Sequence, residues 1–194
     1  NYLKARVYGQ DDAIDRVSRI IRMTKKRLDL KPYQPDGGFF FAGPTGVGKS
    51  HLANAIAIEA LKRDLRVFSR PAHRLLNDLN ASRANGAFPR LIARILNNDL
   101  LILDAFGLQS LTPGAIQDLY EIIAERYERG SIIVTSNRAF EEWHDVFAND
   151  LLASASLDRL THHAHLLVIT GESYRQRSRR KEALTKAISN PETT

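Results

Sequence analysis

Apolar side chains recur along this chain with two different periods. From Asp12 to Leu28, Ile14, Val17, Ile20, Ile21, Met23 and Leu28 fall near helical spacing with charge between them, which predicts an amphipathic helix. Asp11 or Asp12 can cap its start, where the first amides lack partners. The stretch KPYQPDGG, 31–38, has two prolines and Asp-Gly-Gly and reads as a loop. Short apolar runs then read as strands: GFFFAG at 38–43, LRVFS at 65–69, DLLILD at 99–104, SIIVTSN at 131–137 and HLLVIT at 165–170. Helical patterns fill the intervals at about 50–63, 72–83, 88–97, 114–129 and 148–160. Apolar strands alternating with helices imply an α/β fold, a parallel sheet covered on both faces. RANGAFP, 83–89, is a loop between helices.

One connection in this pattern carries chemistry. GPTGVGKS, Gly43 to Ser50, matches the P-loop pattern G-x-x-x-x-G-K-[ST] in full, after a strand and before a helix. Gly43, Gly46 and Gly48 allow the tight turn, and the backbone through Pro44, Thr45 and Val47 can point its N–H groups at phosphate oxygens. Lys49 is placed to reach the β- and γ-phosphates, and the Ser50 hydroxyl to ligate Mg2+. The helix running on through His51 directs its positive end at the anion. Nucleotide binding follows, with ATP and magnesium as the expected cofactors. Asp104 ends the apolar strand DLLILD, where doubly wound sheets place their ligands, and is the second expected magnesium group. Asn137, at the next strand tip, either orients the attacking water or starts a turn. Arg159 in ASLDRL is either packed near Asp158 or set to reach a neighbouring subunit's γ-phosphate.

Composition narrows the alternatives. With 194 residues and 43% hydrophobic content, the chain suits one globular domain with a tail. No apolar run is long enough for a membrane span, and the start has no signal-peptide pattern. Cysteine is absent, which excludes disulfides and fits a cytoplasmic placement. The chain opens at Asn1 without Met, so a piece of a longer protein is expected. Net charge is +6, but residues 1–31 carry +5 and residues 172–186 carry +4. Basic ends around a slightly acidic middle suit a polyanion, nucleic acid foremost, although a solvated helix face with a basic tail gives the same count. Arg175, Arg177, Arg179 and Arg180 are the expected phosphate contacts. His162, His163 and His165 have no carboxylates at metal-site spacing, and Trp143 reads as a packed anchor.

From about His51 to Lys181 the chain resembles the IstB family, helper ATPases of insertion-sequence transposition related to DnaC-type helicase loaders. The carrying stretches are GPTGVGKSHLANAIAIEAL, LLILDAFGLQSL, YEIIAERYERGSIIVTSN, EEWHDVF, DRLTHHAH and GESYRQR. The resemblance implies an AAA+ P-loop NTPase core with sheet order 5-1-4-3-2 and ATP-dependent assembly of subunits around duplex DNA. It also implies delivery of a target to a transposase. In that pattern Asp104 is the magnesium aspartate, Asn137 the sensor and Arg159 the arginine finger. Residues 1–50 instead look similar to the second ATPase module of Clp-type unfoldases such as ClpA, in which Tyr8 and Gly9 would sit beside the adenine. A natural mosaic or a recombinant would join at the shared phosphate loop. The expected divisions are 1–36, helix and nucleotide-pocket linker; 37–171, the ATPase core; and 172–194, a basic helix and tail.

Both families carry an acid after the magnesium aspartate, and this chain has Ala105. A methyl group accepts no proton, and loss of a positioned base costs about 10²–10⁴-fold in rate. The expectation is tight ATP–Mg2+ binding with slow turnover, in a DNA-associated ATPase that supports transposition. The alternatives are a nucleotide-gated DNA scaffold or helicase-loader-like protein without significant turnover, and a Clp-like protein-remodelling ATPase.

Overall fold

A computed structural model describes residues 3, 4, 7, 9–25, 38–127, 129–147, 150–162, 164–177 and 180; for residues 22–25, 140, 141, 144, 150 and 153 it describes the backbone alone. The elements are α1 (Asp11–Lys25), β1 (Gly38–Ala42), α2 (Lys49–Leu61), β2 (Val67–Pro71), α3 (Ala72–Ala84), α4 (Phe88–Leu96), β3 (Leu100–Phe106), α5 (Pro113–Arg126), β4 (Ser131–Ser136), α6 (Asp150–His162) and β5 (Ala164–Val168). A 3₁₀ helix, Phe140–Val146, precedes α6. All strand pairs are parallel, in the order β2-β3-β4-β1-β5. This is the expected 5-1-4-3-2 sheet.

Two apolar layers hold the helices on opposite faces. Ile14 and Val17 of α1 and Leu52 and Ile56 of α2 pack with Phe39, Phe41 and Ile102. Leu75 and Leu79 of α3, Ile122 of α5 and Leu157 of α6 pack with Phe40, Leu101 and Val134 on the other face. Strand alternation explains the division, because successive side chains leave a strand on opposite sides. Trp143 is the anchor the sequence suggested, fully buried with its ring 5.1 Å from Phe40 and 4.5 Å from Phe106.

Several boundaries shift from the sequence expectation. Leu65 and Arg66 do not belong to β2: the Leu65 N–H bonds back to the Ala60 carbonyl at 3.2 Å, and Asp64 turns with φ 60°. β2 therefore runs on to Pro71, which an edge strand tolerates because the missing N–H is not needed there. Asp11 and Asp12 lie inside the first turn of α1 rather than before it, where their charge still favours the helix dipole. β3 extends to Phe106, past the aspartate expected to end it. Leu28 and the 31–37 loop lie outside the described residues. Among the described residues no helix is long and apolar enough to cross a membrane.

Candidate nucleotide site

The parallel sheet brings the carboxyl ends of β1, β3 and β4 to one edge, and the loop 43–48 joins β1 to α2 there. Gly43, Gly46 and Gly48 have φ of 142°, 90° and 101°, a region that side chains disfavour. Space enforces the choice twice. A Cβ on Gly43 would stand 2.0 Å from the Ile169 carbonyl oxygen, and one on Gly46 would stand 2.1 Å from Ser173 Oγ. Val47 is buried and fastens the loop to the core, whereas Pro44 and Thr45 are exposed. No side chain caps α2 at Gly48, so the first amides of α2 keep their capacity for an anion.

Lys49 is buried, and its Nζ donates to the Gly43 and Pro44 carbonyls at 2.6 Å each. Burial draws its ammonium below the usual lysine value, while the Asp104 carboxylate opposes that shift. Three glycine conformations, an uncapped helix start and a cation held on loop carbonyls together fit a polyphosphate. Ser50 is half-buried and His51 exposed at the start of α2.

Across the sheet edge, Asp104 is half-buried and bound by a residue the sequence reading missed. Thr135 Oγ1 donates to Asp104 Oδ1 at 2.6 Å and accepts the Ala105 N–H at 2.9 Å. Its signal was the break in the apolar run of SIIVTSN, where a buried hydroxyl needs a partner. β3 also carries one extra residue here. Leu103 pairs with Val134 and Phe106 with Ser136, so three steps on β3 face two on β4. Ala105 lies in this bulge with φ 54°. Ser136 Oγ donates to the Phe106 carbonyl at 3.0 Å, and Arg138 Nε to the Gly107 carbonyl at 2.6 Å, which ties the two strand tips together.

The other expected residues are more dispersed. Asn137 follows β4 and is exposed. Arg159 is half-buried on α6; its Nη1 donates to the Ala155 carbonyl at 3.1 Å and its guanidinium sits 5.2 Å from the Tyr120 ring. Neither contact involves the phosphate loop. Tyr8 and Arg179 lie outside the described residues. Gly9, with φ 73°, lines a cavity of about 250 Å3 between the start of α1 and the end of β5. Gln10 closes that junction by donating to the Thr170 carbonyl at 3.0 Å. Arg175, Arg177 and Arg180 are exposed. The segment bearing them starts on the phosphate loop, because the Tyr174 N–H donates to the Gly46 carbonyl at 3.0 Å. Among the described residues no cluster of His, Asp and Glu is arranged to hold a metal by itself.

The profile of the family described as IstB-like ATP binding protein matches residues 36–182. An insertion sequence IS5376 ATP-binding protein of Geobacillus stearothermophilus is 36% identical over 159 residues, covering 82% of this chain and 63% of the relative. An insertion sequence IS21 ATP-binding protein of Pseudomonas aeruginosa is 36% identical over 149 residues, covering 77% and 56%. The chain thus spans little more than half to two thirds of these relatives. Among solved structures, DnaI superposes with a TM-score of 0.72 at 22% identity, covering 88% of each chain. DnaA of Aquifex aeolicus bound to AMPPCP gives 0.67 at 22% identity, covering 95% of this chain and 54% of DnaA. These structural likenesses establish the AAA+ fold. The Clp-type resemblance of residues 1–50, and a join at the loop, find no support in them.

Proposed function

Because the chain belongs to the family of IstB-like ATP-binding proteins, we propose that it is an AAA+ ATPase that assembles on duplex DNA and assists a transposase. The active form is a homo-oligomer with nucleotide between subunits. The observation that carries this reading is the bond from Tyr174 to Gly46. It fastens the basic segment with Arg175, Arg177 and Arg180 to the loop that grips phosphate. Any change in the loop on nucleotide binding is therefore felt where DNA phosphates would be held.

The residues divide the work by chemistry. Loop amides and the start of α2 bind the phosphates. Lys49 exchanges its two carbonyl partners for phosphate oxygens, which returns a buried cation to an anionic partner. Ser50 and Asp104 would hold magnesium, with Thr135 fixing the carboxylate's orientation. Magnesium, when bound, neutralises charge that develops on the phosphate oxygens. Asn137 orients water, and Arg159 acts across the subunit boundary once it leaves Tyr120.

Turnover is slow, since Ala105 offers no proton acceptor, and Glu121 and Glu125 are exposed on α5 and occupied with Gln117 and Arg129. The test is phosphate release with saturating ATP, magnesium and duplex DNA. Ala105→Glu is expected to raise the rate about 10²-fold or more, the span a general base provides. An unchanged rate removes this account of position 105.

A further inference from the structure

The middle of the chain is slightly acidic only as a sum. Residues 62–98 hold seven arginines and one lysine against two aspartates, a net +6. Residues 99–171 hold eleven acids against four arginines, a net −7. Sheet order sets the basic stretch at one end of the molecule. β2 is an edge strand, and its Phe68 packs into the same apolar layer as Leu75 and Leu79 of α3 and Ile95 of α4.

The arginines meet on that edge. Phe68 and Arg70 leave β2 on the same side, toward α3 and α4. Arg70 donates to Asp78 Oδ2 of α3 at 2.7 and 3.1 Å, and Arg66 to Asp99 Oδ2 at 3.2 Å. Arg94 of α4 reaches the strand between them, its guanidinium 5.7 Å from the centre of the Phe68 ring. Arg90 lies one turn before Arg94 on α4, and Arg74 one turn before Asp78 on α3. All five arginines are exposed, and among the described residues Arg74, Arg90 and Arg94 have no carboxylate partner. From Arg66 to Arg70 is roughly 13 Å of extended chain, so the surface is a row of guanidiniums and not a point.

Edge protection alone does not account for this row. Charge on an edge strand deters pairing with another sheet, but Arg74, Arg90 and Arg94 stand on helices. Lysine or added acids would serve solubility as well, whereas guanidinium binds phosphate oxygens in pairs. The ion pairs already present are exposed and contribute little, so a phosphate can take Arg66 or Arg70 from its carboxylate. The aromatic rings narrow the form of nucleic acid. Single strands are held by bases stacked on exposed rings. Phe68 and Phe88, the two phenylalanines of residues 62–98, are half-buried, and each lies under an arginine. A surface of guanidiniums without a stacking platform suits the backbone of a duplex.

We propose that Arg66, Arg70, Arg74, Arg90 and Arg94 form a second surface for duplex DNA, at the β2 edge and separate from the tail with Arg175, Arg177 and Arg180. It rests on the DNA partner proposed above but on different residues. Its contacts go to phosphates and carry no base preference. Each subunit then holds the duplex at two places, one fastened to the phosphate loop through Tyr174 and one carried by the sheet edge.

The experiment combines Arg74→Ala, Arg90→Ala and Arg94→Ala in the full chain and measures anisotropy of a labelled duplex between about 50 and 200 mM salt. Each lost phosphate contact flattens the plot of log K against log salt by about 0.9, so the triple variant is expected to flatten it by about 1.8 or more. A smaller change overturns the proposal. Lysine at the same three positions keeps the charge and is expected to hold the slope within about 0.9 of the parent. A larger loss with lysine overturns the proposal, because charge would not be what binds. Light scattering without DNA supplies the other arm. If the alanine variant loses mass there while its duplex slope stays, the row belongs to the acidic surface of a second copy, and the proposal falls. Flattening confined to the tail variants Arg177→Ala and Arg180→Ala leaves the earlier reading standing and removes this one. A parent that binds no duplex removes both.

Discussion

At the scale of single residues, position 105 joins a chemical deficit to a backbone demand. The missing acid is legible from the sequence, since LLILDAFG offers a methyl group at the position where the resembled families carry an acid after the aspartate. Its conformation is not, because φ 54° arises from a bulge created by pairing with β4, a partner some thirty residues away. Alanine in the left-handed region carries a cost of about 1 kcal/mol from the Cβ against the following carbonyl. Aspartate and asparagine adopt this region more readily than other residues with side chains. Among the acids, the left-handed φ at 105 therefore favours aspartate. It also follows that Ala105→Gly raises unfolding stability, by about 0.5–1 kcal/mol, measured by urea denaturation. A loss of stability would mean that contacts of the methyl group outweigh the strain. Thr135 teaches the same lesson from the other side: its hydroxyl bridges Asp104 Oδ1 and the Ala105 N–H, a role set by strand register that no local pattern reveals.

Between elements, Arg126 at the end of α5 has the clearest energetic role. It is 2% exposed, and among the described residues its hydrogen-bond partners are backbone carbonyls rather than carboxylates. Its Nη1 donates to the carbonyls of Ile95, Leu96 and Asn98, and its Nη2 to those of Asp99 and Ser131. One planar cation thus closes the end of α4 and the entries to β3 and β4. Burial lowers its pKa from the ordinary arginine value, and the Asp99 charge works against that shift. Gly130 completes the arrangement, since a Cβ there would lie 2.5 Å from Arg126 Nη2. Removing the guanidinium leaves several buried carbonyls short of donors, so Arg126→Ala is expected to cost about 3–5 kcal/mol, with the urea midpoint falling and the m-value retained. Arg126→Lys should recover only part of this, because one ammonium cannot span the same fork. The sequence disclosed the helix that carries Arg126 but not its burial, since an arginine in YEIIAERYERG reads as solvent-facing. Element existence was legible from period, whereas the ends were not. β2 moved because a turn after α2 captured Leu65, and β3 lengthened because its bulge keeps pairing past Asp104.

For the whole molecule, topology and the phosphate loop were legible together, because strand–loop–helix context and the glycine pattern specify one another. The route from that loop to the basic tail was not. It depends on Ser173 lying against Gly46 and on the Tyr174 N–H reaching the Gly46 carbonyl, contacts between segments far apart in the chain. If the tail reads DNA phosphates from this anchorage, affinity must depend on both salt and nucleotide. Each arginine that touches a phosphate releases a counterion, so its removal flattens the plot of log K against log salt by about 0.9. Arg177 and Arg180 are the residues to test, because both are exposed beyond the anchored turn, and the Glu172 carboxylate lies 3.6 Å from Arg180, competing with a DNA phosphate for it. Arg177→Ala is therefore expected to reduce the slope by nearly the full amount, and Arg180→Ala by less. ATP with magnesium should raise duplex affinity in the parent, and Gly46→Ala, which drives a Cβ into Ser173 Oγ, should remove that increase while leaving the nucleotide-free affinity in place. Fluorescence anisotropy of a labelled duplex between about 50 and 200 mM salt reads all of these effects. A slope unchanged by both arginine variants would take the DNA contact away from this segment and leave the β2 edge and the basic charge of residues 1–31 as the surfaces to examine.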